Sequence, residues 1–121
     1  MNRPEQILHK EVAKHIRARG VPGLVFWHTP NQGRVGGHRG RVQGAILKGL
    51  GVRAGVSDFV FLNKGLFYAL ELKVPGGRPT EEQLRFIDDV NKAGGFACVA
   101  AGLDTAIKVL ETWGLIRGAT A

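Results

Sequence analysis

Three charged side chains interrupt stretches of this sequence that are otherwise apolar. Glu71 and Lys73 stand near the end of residues 66–74, a run with the length and composition of a β-strand. Asp58 opens the preceding run of this kind, residues 58–62. Burying a charge costs free energy unless a partner compensates it. These three residues are therefore the first candidates for a chemical role.

A hairpin would bring the three side chains to one place. Side chains alternate between the faces of a strand, so Glu71 and Lys73 project side by side. A tight turn at residues 63–65 pairs the start of the first strand with the end of the second, which places Asp58 close to both. Two carboxylates suit a hard divalent cation such as Mg²⁺, and a neighbouring lysine can orient an attacking water or stabilise charge developing on phosphorus. The alternative is an ion pair of Lys73 with one acid at a strand edge; a second acid on the adjacent strand favours the catalytic interpretation.

Two further polar residues are expected to face the sheet. Residues 5–19 predict an amphipathic helix, and Glu5 falls near the middle of its apolar stripe, from which it could reach a metal. The alternative role of Glu5 is to favour the N-terminus of the helix electrostatically. Gln83 lies on the inner face of a helix that begins with a capping box at residues 80–83, and its alternative role is as the reciprocal partner of Thr80 in that box.

The net charge of +7 lies in the first half of the chain. Residues 1–60 carry ten basic and three acidic residues, whereas residues 61–121 carry seven of each. Residues 33–55 hold eight glycines and no acid, which predicts a mobile basic loop able to hold the phosphates of a nucleic acid. The alternative is a simple connector. The basic residues assigned to DNA binding are Arg34, Arg39, Arg41, Lys48 and Arg53.

The 121 residues are expected to form one domain, residues 1–121, with an α/β fold. The predicted order is α-β-loop-β-β-α-β-α, with apolar strands covered by helices on both faces of a mixed sheet. The single Cys98 excludes an internal disulfide and a cysteine-only zinc site. Without an apolar run of membrane-spanning length or a signal-peptide pattern, a soluble, cytoplasmic protein with no membrane partner is expected.

The pattern also predicts details of packing. Leu84, Ile87 and Val90 are expected to form the buried side of the helix that follows Thr80. Asp104 is expected to cap a last helix that runs to about residue 113. The residues assigned to the core on chemical grounds are Trp27, Cys98 and Trp113.

Taken in order, these residues resemble the PD-(D/E)XK nuclease core and, more specifically, the VRR-NUC (virus-type replication-repair nuclease) family. The resemblance is carried by the runs GVRAGVSDF at 51–59, YALELKVPGGR at 68–78 and TEEQ at 80–83. Glu5 and the run HTPN at 28–31 extend it, so it covers roughly residues 5–110. Ser57 departs from the pattern, since it stands where the superfamily name has proline.

The resemblance implies a restriction-endonuclease-like core and metal-dependent hydrolysis of phosphodiester bonds. It implies Mg²⁺ as the cofactor, with Mn²⁺ as a possible substitute. Asp58 and Glu71 become metal ligands together with the backbone carbonyl of Leu72, and Lys73 positions the water and stabilises the transition state. Two catalytic residues complete the set: Glu5 as the N-terminal acid, for which Glu11 competes, and Gln83 as the glutamine of the following helix.

Stand-alone, phage-type members of this family resemble Holliday-junction resolvases and act as homodimers. The resemblance therefore implies a dimeric endonuclease selective for branched DNA, in the host-cell cytoplasm if phage-encoded. Two alternatives stay open on the residues alone. One is a nicking or nonspecific duplex nuclease, and the other is a non-catalytic, basic nucleic-acid-binding module whose carboxylates are structural.

Overall fold

The computed structural model describes residues 1–30 and 37–118, which form four helices and four strands. In chain order these are α1 (Arg3–Arg19), β1 (Val25–His28), α2 (Gly37–Gly49), β2 (Phe59–Asn63), β3 (Leu66–Lys73), α3 (Glu81–Lys92), β4 (Phe96–Ala101) and α4 (Leu103–Thr112).

The strands form one mixed sheet in the order β1-β2-β3-β4. β1, β2 and β3 are antiparallel neighbours, and β4 runs parallel to β3. The β2–β3 hairpin turns through Lys64 and Gly65, both at positive φ, as a tight two-residue turn requires. The predicted hairpin and the mixed α/β architecture are thereby confirmed.

Helices cover both faces of the sheet. α1 and α4 pack on one face, where the larger apolar core includes Val12, Phe61, Leu70 and Leu110. α3 packs on the other face, against Ala69 and its neighbours on β2 and β4. By strand alternation Glu71 and Lys73 share the α3 face with Ala69. In the part of the chain that the structure describes, no helix is long and apolar enough to cross a membrane.

The segment predicted to be a mobile loop contains a helix. α2 occupies residues 37–49, so the interpretation of this stretch as a loop is wrong, while residues 33–36 lie outside the described part of the chain. None of the thirteen described residues of α2 is buried. Glycine lowers helix propensity, and this is why the composition favoured a loop over a helix.

Packing or capping predictions for five residues differ from the structure. The side chain of Leu84 is 49% exposed, and Phe86 takes its place against the sheet beside Ile87 and Val90. Trp27 is 50% exposed rather than in the core, because α3 packs on β3 and β4 and leaves the α3 face of β1 open. Asp104 lies within the first turn of α4, and the N-cap is Gly102, which has no side chain to form a capping hydrogen bond. Cys98 and Trp113 are only partly buried, although both pack against the core.

Gly55 lies where the segment after α2 crosses the first turn of α3. Its φ is +81°, and a Cβ there would lie 2.4 Å from the carbonyl carbon and oxygen of Glu82. Replacing Gly55 with alanine is expected to destabilise the fold by more than about 2 kcal/mol, since a left-handed conformation alone costs an L-residue about 1–2 kcal/mol. Urea unfolding followed by circular dichroism measures the loss.

Gly51 provides the matched control. Its φ is +93°, and a Cβ there meets nothing within 4 Å. Gly51→Ala therefore carries the backbone strain without the collision. Equal destabilisation of the two variants would mean that the close approach to α3 is not what requires glycine at position 55.

Candidate active site

Asp58 is held at the end of β2, opposite Glu71. Phe59 pairs with Leu70, and the same antiparallel register continued by one residue sets Asp58 against Glu71. Asp58 is buried, with 9% of the residue's surface exposed. Its Oδ2 accepts a hydrogen bond of 2.8 Å from the Leu72 amide. The backbone of β3 thus fixes the orientation of this acid.

Glu71 is one of the most deeply buried residues, with 2% of its surface exposed. The Lys73 ammonium lies 3.3 Å from Glu71 Oε2, whereas Glu71 Oε1 is buried without a hydrogen-bond partner. Burial, and next the negative charge of Asp58, raise the pKa of Glu71 to about 8, against the opposing effect of Lys73. With both carboxyl groups ionised, one ammonium would not compensate them, and the raised pKa of Glu71 expresses this shortage of positive charge.

The carboxylate oxygens of this site fit a divalent cation. The Oε1 atom of Glu71 is an orphaned buried acceptor. Within residues 1–30 and 37–118, no three His, Cys, Asp or Glu side chains lie together as a cation site. Mg²⁺ commonly binds one or two carboxylates and keeps several waters, so Asp58 and Glu71 together suffice for such an ion.

A pair of histidines adjoins the acids from the other face of the sheet. His9 of α1 is buried, its Nε2 lies 3.7 Å from Asp58 Oδ2, and its Nδ1 shares a hydrogen bond of 2.9 Å with Nε2 of His28. Burial lowers the pKa of His9, although the charge of Asp58 opposes this. His9 was not among the residues predicted to form the site. The available indication was that His9 follows Leu8 on the apolar stripe of α1 and would thus face inward.

Glu5 and Gln83, the two remaining candidates, have different surroundings. Glu5 is half-buried on α1, which packs on the face of the sheet opposite Glu71, and it belongs to no three-residue cation site in the described chain. The Oε1 atom of Gln83 accepts a hydrogen bond of 2.8 Å from the Thr80 amide, and Thr80 Oγ1 accepts one of 3.2 Å from the Gln83 amide. The predicted capping box is confirmed, and it occupies the carbonyl oxygen of Gln83.

A cleft of about 540 Å³ opens at Asp58. Its walls are residues 29–30 after β1, α2, the segment 52–56 and the start of α3, where Gln83 lines the cleft. Asp58 is the acidic residue among the described residues that line it. Lys48 and Arg53 are the basic ones. The described lining of the cleft therefore carries more basic than acidic residues.

The basic residues assigned to DNA binding have different surroundings. Arg39, Arg41 and Lys48 are exposed on α2, and Arg34 lies outside the described residues. The Arg53 guanidinium forms an ion pair of 2.6 Å with Asp89 and lies 5.2 Å from the centre of the Phe86 ring. Arg53 therefore joins the cleft wall to α3 as well as lining the cleft.

Comparison with solved structures identifies the fold. A structure named "VRR_NUC domain protein" superposes with a TM-score of 0.72 at 21% identity, over 95% of this chain and 92% of that chain. A second, named "VRR_NUC domain", gives a TM-score of 0.60 at 19% identity, over 90% of this chain and 96% of that one. No protein-family model matches the sequence, and no curated protein does. The chain has the fold of VRR_NUC domain proteins, as the resemblance implied.

Proposed function

We propose that this chain, which shares its fold with VRR_NUC domain proteins, is a nuclease of that family that hydrolyses phosphodiester bonds in DNA with the help of a divalent metal ion. Asp58 and Glu71 would hold the ion, which is Mg²⁺ or, in its place, Mn²⁺. Lys73, beside them, would position the attacking water and stabilise the transition state. The shared fold and the unsatisfied carboxylate at the end of the hairpin support this assignment.

The observation that carries the proposal is the buried pair of acids. An ion pair with Lys73 requires one carboxylate, and a second buried acid beside it raises the cost of burying both. The pKa of Glu71, raised to about 8, expresses that cost. A divalent cation would remove it, because it compensates both charges and supplies a partner for Glu71 Oε1.

Each residue of the site has a distinct part in the proposed reaction. The bound ion supplies Lewis-acid stabilisation of the charge on the phosphate. The Lys73 ammonium is close enough to Glu71 to hold a water at the same place and to offer positive charge to the transition state. The Leu72 amide orients the Asp58 carboxylate, and the Leu72 carbonyl is proposed as a further ligand from the family resemblance. Glu5 and Gln83 stay proposed catalytic residues on that resemblance alone.

Nucleic acid would enter through the cleft beside α2. The exposed cations of this helix, Arg39, Arg41 and Lys48, suit contacts with phosphates, which position a nucleic acid without reading its sequence. We also propose that the nuclease is selective for branched DNA and that it acts as a homodimer. One site cuts one strand, so a two-fold symmetric pair of chains would supply the paired cuts that a four-way junction needs.

Cleavage of labelled four-way junction, flap and linear duplex DNA tests the proposal. We expect cutting by the wild type in Mg²⁺ and Mn²⁺ and none in EDTA. Asp58→Asn keeps the shape of the side chain but removes the charge, so its cleavage is expected to fall below detection in either metal. Sedimentation velocity of the same samples reports whether the chain is a dimer.

The ranking of substrates separates the nuclease hypotheses. Preference for the junction supports the branched-DNA nuclease, and equal cutting of all three supports a nonspecific duplex nuclease. Binding in a gel shift with no cutting in any metal would overturn the nuclease and favour the nucleic-acid-binding module.

A further inference from the structure

Three parts of the chain hold Asp58 at the end of the sheet. The amide of Thr29, which follows β1, donates a hydrogen bond of 2.7 Å to the backbone carbonyl of Asp58. The Leu72 amide of β3 donates to Asp58 Oδ2, and His9 Nε2 of α1 lies 3.7 Å from the same oxygen. Both side-chain contacts converge on Oδ2, so they orient the carboxylate without occupying Oδ1.

The rings of His9 and His28 are fixed by their neighbours. His28 pairs with Phe59 across β1 and β2, and the two rings meet edge to face, with their centroids 5.0 Å apart. The His9 ring is buried and lies 5.1 Å from the His28 ring at an interplanar angle of 71°. Side chains held by packing and by hydrogen bonds to each other keep one orientation toward the group that they face.

The hydrogen bond between the two rings assigns the proton of His9. A neutral imidazole donates from one nitrogen and accepts at the other, whereas an ionised carboxylate only accepts. A proton on His9 Nε2 is therefore the favourable arrangement toward Asp58 Oδ2, since the reverse tautomer would turn a lone pair toward the carboxylate. His9 Nδ1 is then the acceptor of the 2.9 Å hydrogen bond, and His28 Nε2 is its donor.

We propose that His9, with His28 behind it, is a positioning residue that fixes the Asp58 carboxylate as a ligand of the divalent ion. This inference rests on the proposed metal site at Asp58 and Glu71 and adds to it the two residues that orient one of the ligands. At 3.7 Å the contact of His9 with Asp58 is longer than a hydrogen bond and acts electrostatically. Removing an outer partner of a metal-ligating carboxylate commonly costs about 10- to 100-fold in metal affinity or activity.

A long-range proton–nitrogen correlation spectrum of the imidazole rings tests the proton assignment. The sample is the wild type in EDTA at pH 8, and the His9 signals are identified by their absence in His9→Gln. The expected spectrum shows a protonated Nε2 and an unprotonated Nδ1. A proton on Nδ1 and none on Nε2 would overturn the proposal, because His9 would then present a lone pair to Asp58. The reading comes from the wild type, so it holds even where a variant folds poorly.

Two substitutions at position 9 separate positioning from packing. The amide nitrogen of glutamine can take the place of Nε2 of a histidine, whereas the amide of asparagine takes the place of Nδ1. His9→Gln thus keeps a donor toward Asp58, and His9→Asn keeps only the contact with His28. Mn²⁺ affinity, measured by electron paramagnetic resonance of the free ion, is expected to fall at least about tenfold in His9→Asn. In His9→Gln it is expected to stay close to that of the wild type.

Equal losses of Mn²⁺ affinity in His9→Asn and His9→Gln would overturn the proposal, because packing alone does not distinguish the two ends of the ring. His15→Asn is the matched control, since His15 also lies on α1 and its Nδ1 contacts Arg19 instead of an acid. Its Mn²⁺ affinity should equal that of the wild type. A loss as large as that of His9→Asn would likewise overturn the proposal, because any histidine of the helix would then have the same effect.

Cleavage of DNA in Mg²⁺ by the same proteins distinguishes this proposal from the nuclease proposal. Cleavage by the wild type together with equal Mn²⁺ affinities of His9→Asn and His9→Gln leaves the nuclease and overturns positioning by His9. Mn²⁺ binding that His9→Asn weakens and His9→Gln preserves, without cleavage of any DNA, does the reverse. A wild type that binds no Mn²⁺ would overturn both.

Discussion

Replacing Glu71 with glutamine is expected to abolish cleavage and, in EDTA at pH 8, to raise the melting temperature above that of the wild type. Glutamine keeps the size of the side chain and removes a buried charge that repels Asp58. The metal-free wild type must either protonate Glu71 or bury two adjacent carboxylates, and both cost free energy. A change that destroys activity and stabilises the fold is characteristic of a site held under strain for function.

The pH dependence of this effect has a definite sign. The pKa of Glu71 is raised from 4.5 to about 8, so between these values the folded state binds a proton that the unfolded state has released. The stability of the metal-free wild type should therefore fall as pH rises through this window and level off above it. Each pKa unit corresponds to about 1.4 kcal/mol. Glu71→Gln should lack this part of the fall, and melting curves between pH 5 and pH 9 measure the difference.

Glu81→Gln is the matched control, since Glu81 is an exposed acid on α3. Its melting temperature should follow that of the wild type at every pH. A lower stability of Glu71→Gln throughout the range would contradict the proposal. It would show that the Glu71–Lys73 ion pair supports the fold, as expected of a non-catalytic module.

The second large effect is expected for Lys73→Met. Methionine keeps the apolar stem of the side chain and removes the ammonium that lies 3.3 Å from Glu71 Oε2. Loss of a single preorganised group that stabilises transition-state charge lowers kcat about 100- to 1,000-fold. Metal binding should survive, because the two carboxylates are unchanged and one competing cation is gone.

Two measurements separate the effect of Lys73→Met on the cleavage rate from its effect on metal binding. Single-turnover cleavage of the preferred DNA gives the rate, and the rise in melting temperature on titration with Mn²⁺ gives metal binding. Lys108→Met, at an exposed position on α4, should match the wild type in both. A Lys73→Met enzyme of wild-type rate would remove this residue from the mechanism, and one that no longer binds Mn²⁺ would give it a structural role at the metal.

The β2–β3 hairpin explains why single substitutions at a few positions are expected to have large effects on cleavage. The two-residue turn fixes the register between β2 and β3, and this register places Asp58 opposite Glu71 at the end of the sheet. The Leu72 amide then holds Asp58 from the same strand that carries the other two side chains. The proposed catalytic group is therefore a property of one rigid element, and it needs no loop to close in order to form.

Local sequence patterns were enough to predict this hairpin, the capping box at Thr80 and the face shared by Glu71 and Lys73. Each of these depends on residues close in the chain, through strand alternation, turn residues or a helix start, so local patterns predict them. The same reasoning could not place Glu5, because a helical stripe shows that a residue faces inward without showing which face of the sheet it meets. The packing of α1 on the sheet decided that His9 approaches Asp58.

Tertiary structure also decided the surfaces beside the site. Composition predicted a loop at residues 37–49, where a helix stands although none of its described residues is buried. Trp27 is apolar and lies in a strand, yet it is exposed because α3 covers β3 and β4 and leaves β1 open. Burial depends on which elements meet across the fold, and the contacts that decide this join residues far apart in the chain. The cleft at α2 is therefore a property of the assembled fold, whereas the acid pair beside it was already determined by sixteen consecutive residues, 58–73.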